Sequence, residues 1–299
     1  SIMTGIAGVM TEQVKFLMID LFCGAGGTST GAANSGYVKL IACVNHDPIA
    51  IKSHKANHKG VLHLTEDVVH ADIGPIREAL NRARKKYINA KVILWASLEC
   101  TNFSNAKGGL PREADSRTLA NALFRYVRVL DPHYILIENV REFMAWGDLD
   151  ENGKPMSKTN GRHYIRWVNR MQRFGYAYDW RLLNAADFGG VTIRTRYFGA
   201  FYKPGVGFAW PQPTHVKRRV DEGFFVDDRT PSRAEAQLLH FGHLIKSIFD
   251  RKRPYVDKTL RRILRGLQRF HGQQQIMHCY SPGYTTPVSQ PTGSVTTRP

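Results

Sequence analysis

Residues 15–27, KFLMIDLFCGAGG, decide how this sequence is expected to fold. The first eight form a short apolar run with an acid near its end, which indicates a buried strand of a parallel sheet. The glycines that follow allow backbone amides to approach a ligand closely, although Ser29 stands where a dinucleotide-binding pattern would have its last glycine. We therefore expect an adenosine-type ligand at this turn; a tight structural turn is the alternative.

Further apolar runs predict a sheet in which strands and helices alternate. Strands are expected at residues 40–44, 91–96 and 134–137, and helices at 77–87 and 119–129. This alternation is typical of a doubly wound α/β sheet, whose ligands lie at the carboxyl ends of the strands. Residues 146–160 are expected to form a surface loop, and a boundary near Pro213 is expected where the alternation stops.

The net charge of +17, from 42 Lys and Arg against 25 Asp and Glu, indicates a polyanionic partner such as nucleic acid. Basic proteins without nucleic acid are common, so charge alone leaves this open. Residues 214–299 contribute a net +8, from 15 basic and 7 acidic residues. A helix is expected at residues 256–270. Its arginines expected to contact DNA phosphates are Arg261, Arg262 and Arg265.

The cysteine and hydropathy patterns indicate the cellular compartment in which the protein is expected. The four cysteines have no C-x-x-C spacing, which favours a reducing, intracellular setting without a metal site. No apolar run approaches the ~20 residues of a membrane helix. We expect a cytoplasmic protein of bacterial, phage or mobile-element origin.

Three groups of polar side chains follow the predicted strands. Cys100 lies in a polar loop, where a thiol has the exposure that a nucleophile needs; a structural cysteine is the alternative. Glu138 ends the fourth strand, which places a carboxylate at the edge where a ligand would bind. A helix N-cap or a solvated charge is the alternative. If Arg194 and Arg196 lay in a strand, both side chains would lie on one face. Such a pair could hold phosphate or balance charge; a solvent-exposed strand edge is the alternative.

Together these motifs resemble the carbon-5 cytosine DNA methyltransferase family, from about residue 16 to residue 201. The matching stretches are DLFCGAGG (20–27), LECTNFS (98–104), LIENVREF (136–143), LLNAADFGGVTIRTRYFGAF (182–201) and, later, PTGSVTT (291–297). The resemblance implies a Rossmann-like methyltransferase sheet and a smaller, basic C-terminal target-recognition region. The expected bounds are an N-terminal extension or cloning remnant at 1–13, a catalytic domain at 14–213 and a DNA-recognition region at 214–299.

The resemblance also implies a reaction. S-adenosylmethionine would donate the methyl group, leaving S-adenosylhomocysteine, to a cytosine flipped out of double-stranded DNA and attacked by Cys100. Glu138 would bind the cytosine edge, and Arg194 and Arg196 would position the nucleotide. The residues implied to surround the cofactor are Phe22, Gly24, Ala25, Gly26, Gly27, Asn45, His46 and Asp67.

Three features depart from the family's pattern. Asn45 stands where the family usually has a ribose-binding Glu, for which Asp47 could substitute, and Glu99 stands where it usually has Pro. A final Gly-Asn helix is absent before Pro299. We expect a monomer, or a chain that needs a C-terminal segment outside this sequence. A catalytically silent DNA-binding relative and a tRNA cytosine methyltransferase remain alternatives.

Overall fold

The computed structural model describes residues 13–98, 115–145, 161–216, 229–231, 233, 247, 249–250, 252–271, 275–277 and 285–291. The chain divides into two compact units. The first comprises Ser1–Leu182 and Arg196–Ala209, and the second comprises Leu183–Thr195 and Trp210–Pro299. The predicted loop at residues 146–160 lies outside the described residues.

A seven-stranded sheet with the order β3-β2-β1-β4-β5-β7-β6 organises the first unit. Its strands are β1 Phe16–Leu21, β2 Val38–Val44, β3 Leu62–Leu64, β4 Lys91–Ser97, β5 Tyr134–Asn139, β6 Ala177–Asn184 and β7 Thr195–Tyr202. The pairs β3–β2, β2–β1, β1–β4 and β4–β5 are parallel, and β7 pairs antiparallel with β5. The helices between them are α1 Gly27–Asn34, α2 Pro48–Asn57, α3 Gly74–Lys86, α4 Asp115–Leu130 and α5 Arg162–Gln172. The predicted α/β class, its four strands and its two helices are confirmed.

The central position of β1 follows from its composition. Leu17, Met18, Ile19 and Leu21 are buried, as is Asp20 between them, and β1 pairs with β2 on one side and β4 on the other. Burial on both faces explains why the strand reads as a continuous apolar run and not as an alternating one.

Aromatic side chains fix the helices that cover the sheet. Tyr126 of α4 is fully buried, and its hydroxyl donates a hydrogen bond to the Val68 carbonyl at 2.8 Å. The indole of Trp167 in α5 donates to the Ala120 carbonyl at 2.9 Å. Each polar atom therefore keeps a partner while its ring adds buried apolar area.

The second unit contains α6 Asp257–Arg269, in agreement with the helix expected at residues 256–270. Two short strand pairs accompany it: β8 His215–Val216 with β9 Thr230–Pro231, and β10 Gln275–Met277 with β11 Thr285–Pro287. No helix in the described part of the chain is long and apolar enough to cross a membrane.

Candidate functional site

The turn after β1 adopts left-handed backbone at Phe22 (φ 57°), Gly24 (φ 52°) and Gly26 (φ 99°). An added Cβ on Gly26 would lie 2.9 Å from Cδ2 of His54, closer than real Cβ atoms pack, so glycine is required there. At Gly24 and Gly27 an added Cβ would meet no described atom within 4 Å. The turn is therefore packed from below at Gly26 and open at its two neighbouring glycines, as a backbone that approaches a ligand must be.

A buried chain of hydrogen bonds supports this turn from beneath. Ser29 donates to Oδ2 of the fully buried Asp20 at 2.6 Å, and Nε2 of His54 lies 3.0 Å from the same hydroxyl. Nδ1 of His54 lies 2.9 Å from Nε2 of His63, whose Nδ1 lies 2.8 Å from the Val61 carbonyl. Burial raises the pKa of Asp20 to about 7, and burial, with the neighbouring histidines, lowers the pKa of His54 to about 4.

These supporting residues were not identified from the sequence. Ser29 was recognised only as a departure from a glycine pattern, and His54 lies in the polar half of its helix, next to Ser53 and Lys55. The importance of these residues could be inferred only from the parallel strand order, because that order brings α1, α2 and β3 together under the turn. That order depends on pairings between distant segments.

The end of β2 holds the residues expected near the cofactor ribose. Asn45 is buried, and its Oδ1 accepts a hydrogen bond from the Asp47 amide at 2.8 Å. His46 and Asp47 are exposed, and one oxygen of Asp47 caps α2 by accepting from the Ile49 amide at 2.8 Å. The Asn45 and Asp47 side chains thus each use one oxygen within the protein, and of the two only Asp47 is exposed.

Asp67 lies after β3, at the same carboxyl edge as the glycine turn. Its Oδ1 accepts from the Val69 amide at 2.9 Å, and its Oδ2 lies 3.1 Å from Nδ1 of His70. The strand order β3-β2-β1 places the segments after these three strands side by side. The structure thus brings the predicted cofactor residues to neighbouring strand ends of one sheet edge.

Glu138 and Arg196 form an ion pair on β5 and β7. Oε1 of Glu138 lies 3.3 Å from Nε of Arg196, and both side chains are 21% exposed. The Glu138 backbone carbonyl accepts from the Leu98 amide at 3.2 Å, one residue beyond β4. A carboxylate held by a guanidinium therefore stands beside the end of the strand that leads towards Cys100. Cys100 and Glu99 themselves lie outside the described residues.

The condition under which Arg194 and Arg196 would share one strand face is not met. β7 begins at Thr195, so Arg194 precedes the strand and belongs to the second unit, whereas Arg196 belongs to the first. The Arg194 amide donates to Oδ1 of Asn184 at 3.0 Å, and its carbonyl accepts from the Ala185 amide at 3.1 Å. These bonds close a loop around the 3₁₀ turn Ala185–Phe188 and leave the Arg194 side chain exposed.

The arginines of α6 are not equivalent. Arg261 is exposed, and its Nε forms an ion pair with Asp257 Oδ2 at 2.6 Å, one helical turn away. Arg265 is exposed and Arg262 is half-buried. On the same helix Leu264 and Leu267 are 54% and 45% exposed. The predicted phosphate contacts stay a prediction.

Comparison with known proteins gives a consistent result. Residues 16–228 match the C-5 cytosine-specific DNA methylase family. Type II methyltransferase M.AgeI of Thalassovita gelatinovora is 31% identical over 199 residues, covering 66% of this chain and 42% of that protein. Type II methyltransferase M1.ScrFI of Lactococcus lactis subsp. cremoris is 31% identical over 214 residues, covering 70% of this chain and 48% of that protein. The chain thus spans less than half the length of both relatives.

A solved structure is similar in fold. It is described as a DNA modification methyltransferase encoded within an E. coli prophage, and it superposes with a TM-score of 0.53 at 24% identity. The match covers 78% of this chain and 57% of that one.

Proposed function

The chain belongs to the C-5 cytosine-specific DNA methylase family, and from this premise we propose that it methylates carbon 5 of cytosine in DNA. S-adenosylmethionine is the proposed methyl donor and double-stranded DNA the proposed substrate. We assign catalysis to residues 14–213 and DNA recognition to residues 214–299.

The observation that carries the proposal is the position of Glu138 relative to the chain that leads to Cys100. Leu98 is hydrogen-bonded to Glu138, and Cys100 follows Leu98 by two residues. This bond joins the backbones of Leu98 and Glu138, and two residues span at most about 7 Å. It supports the proposal that the Cys100 thiol and the Glu138 carboxylate act on one pyrimidine ring.

The residues at the glycine turn fit the proposed cofactor. The open backbone at Gly24 and Gly27 suits the close approach of the methionine part, and Asp47 suits the ribose hydroxyls in place of Asn45. Phe22, Ala25, Gly26, His46 and Asp67 complete the proposed cofactor-binding set. When bound, S-adenosylmethionine supplies an electrophilic methyl group.

Each proposed catalytic side chain has one task. The Cys100 thiolate adds to carbon 6 of a flipped cytosine, which makes carbon 5 nucleophilic enough to take the methyl group. Glu138 holds ring nitrogen 3 and the exocyclic amine, and so stabilises charge that develops on the ring. Loss of the carbon 5 proton and of the Cys100 sulfur then restores the aromatic ring.

Arg196 has the task of orienting Glu138, with which it is already paired. A guanidinium is charged at every working pH and holds the carboxylate in a fixed plane. We assign Arg194 a separate role in positioning the flipped nucleotide, since it is exposed and lies on a loop tied to Asn184.

The test is covalent trapping on duplex DNA. Fluorine at carbon 5 blocks proton loss, so a pool of duplexes with 5-fluorocytosine in randomised flanks should accumulate an adduct when S-adenosylmethionine is present. Cys100→Ala should bind the same pool without forming the adduct. An adduct that survives in Cys100→Ala would exclude this nucleophile. Binding without any adduct in the wild type would favour a silent DNA-binding protein, and adduct formation only on tRNA would change the substrate.

A further inference from the structure

Two thiols and two imidazoles converge beneath the glycine turn. Ligand atoms of Cys23, Cys43 and His54 all lie within 4.8 Å of one another, and all three side chains are buried. Nε2 of His63 lies 2.9 Å from Nδ1 of His54. The four residues come from the turn after β1, from β2, from α2 and from β3, so a shared ligand would join four segments of the chain.

One separation matches that of a tetrahedral metal site. With Zn–S near 2.3 Å and Zn–N near 2.0 Å, sulfur and nitrogen ligands on one ion lie about 3.5 Å apart, and two nitrogens about 3.3 Å apart. Sγ of Cys43 lies 3.6 Å from Nδ1 of His54, as two ligands of one ion would. The two imidazole nitrogens lie 2.9 Å apart, so His63 has to move to join Cys23, Cys43 and His54 as a fourth ligand.

The hydrogen-bond donors and acceptors around His54 and His63 indicate a cation between the two rings. Ser29 has one hydroxyl hydrogen and donates it to Asp20, so it accepts from Nε2–H of His54. The Val61 carbonyl can only accept, so Nδ1 of His63 carries a hydrogen. In neutral rings the two nitrogens that face each other are then both acceptors. A positive charge at this point, a metal ion or an extra proton, removes that conflict.

The surroundings complete the requirements of a zinc site. Histidine ligands of zinc usually donate their second ring N–H to a carbonyl or, directly or through a hydroxyl, to a carboxylate. His63 has the Val61 carbonyl, and His54 has Ser29 and, behind it, Asp20. Oδ1 of Asp20 is buried and accepts no hydrogen bond from the described residues.

We propose that Cys23, Cys43, His54 and His63 form a structural Zn²⁺ site that fixes the glycine turn. The two thiols release their protons on binding, and the two thiolates balance the charge of the ion. The C-x-x-C rule does not detect such a site because its four ligands come from separate elements. None of the four ligands is among the residues assigned to methyl transfer, and the cobalt experiment below does not depend on that activity.

Cobalt(II) is the probe, because thiolate-bound tetrahedral Co²⁺ has a characteristic charge-transfer absorption. Chelator-treated protein of the full chain should bind one Co²⁺ with this spectrum and lose it when Zn²⁺ is added. His63→Gln and Cys43→Ser should weaken binding about 10-fold or more. His58→Gln is the matched control: its ring packs 4.6 Å from that of His54, but its Nε2 lies 3.0 Å from the Thr30 hydroxyl.

Two results would overturn the proposal. One is a wild-type protein without the thiolate–cobalt band, in which case a shared proton is the cation between the two rings. The other is wild-type affinity in His63→Gln and Cys43→Ser.

Should Cys43→Ser fail to fold, alkylation of the wild type gives the same decision. Zn²⁺ should protect Cys23 and Cys43, read peptide by peptide, and leave Cys100 and Cys279 reactive. Unchanged labelling of Cys23 and Cys43, or protection of Cys100 and Cys279 instead, rejects the site.

Discussion

Replacing Gly26 by Ala should destabilise the protein more than the same change at Gly24 or Gly27, because the three glycines differ in only two physical respects. Gly24 and Gly26 have left-handed backbone, and Gly26 alone has an atom of a buried side chain in the path of a Cβ. Gly27 has neither constraint. The series therefore separates backbone strain from steric contact.

The magnitudes follow from these differences. A left-handed backbone costs an alanine about 1–2 kcal/mol, which is the whole expected loss for Gly24→Ala. Gly26→Ala adds the contact with the His54 ring, which cannot swing away cheaply because both its nitrogens are hydrogen-bonded. Overpacking of this kind costs about 1–3 kcal/mol, so the total for Gly26→Ala should be about 2–5 kcal/mol. Gly27→Ala should stay within about 0.5 kcal/mol of the wild type.

Urea unfolding of chelator-treated protein measures all three free energies, provided that the slope with denaturant is unchanged. In a His54→Ala background the excess cost of Gly26→Ala over Gly24→Ala should fall, because two residues in contact are coupled and only the looser contact with the His58 ring, 3.3 Å from the added Cβ, remains. An undiminished excess without the His54 imidazole would refute the steric explanation. Equal midpoints for all three single variants would refute the backbone argument as well.

Three further changes test other parts of the molecule. Arg262→Ala and Arg265→Ala should each lower the log–log salt slope of duplex binding by about one, and an unchanged slope would show that the side chain contacts no phosphate. Glu99→Gln should lower the pH at which iodoacetamide alkylates Cys100, since a neighbouring carboxylate disfavours the thiolate; superimposable rate profiles would contradict this. Tyr197→Phe removes a buried hydroxyl that lies 2.8 Å from that of Tyr178, which should cost about 1 kcal/mol in thermal unfolding. A melting temperature equal to that of the wild type would show that this bond contributes nothing.

Sequence patterns predicted the elements whose secondary structure follows from their own residues, without knowledge of the segments that pack against them. β1 and β4 are central, so their apolar runs carry enough information without knowledge of their neighbours. β6 has a mixed pattern because it is an edge strand whose residues are all exposed or partly exposed, and it was not predicted. Whether Arg194 lies in the same strand as Arg196 was left open, because nothing local shows that β7 begins at Thr195.

The same difference separates the site residues that were predicted from those that were not. Glu138 and the glycine turn were predicted because each directly follows a recognisable strand. Ser29, His54 and His63 were not, because their importance lies in contacts that join α1, α2 and β3. A histidine at a helix position between lysines is normally solvated, and only the assembled sheet shows that His54 is fully buried.

His54 connects the support of the turn to the proposed metal site. Its ring limits the space below Gly26, lies within hydrogen-bond distance of Ser29 of α1 and faces Cys43 of β2. An ion held by Nδ1 would restrict the ring and, through it, the backbone that we assign to the cofactor. Glu138 lies on β5, separated from β1 by β4, and has its own support in Arg196. Metal loss should therefore loosen the cofactor turn while the ion pair of the proposed catalytic carboxylate stays in place, because the two supports share no residue.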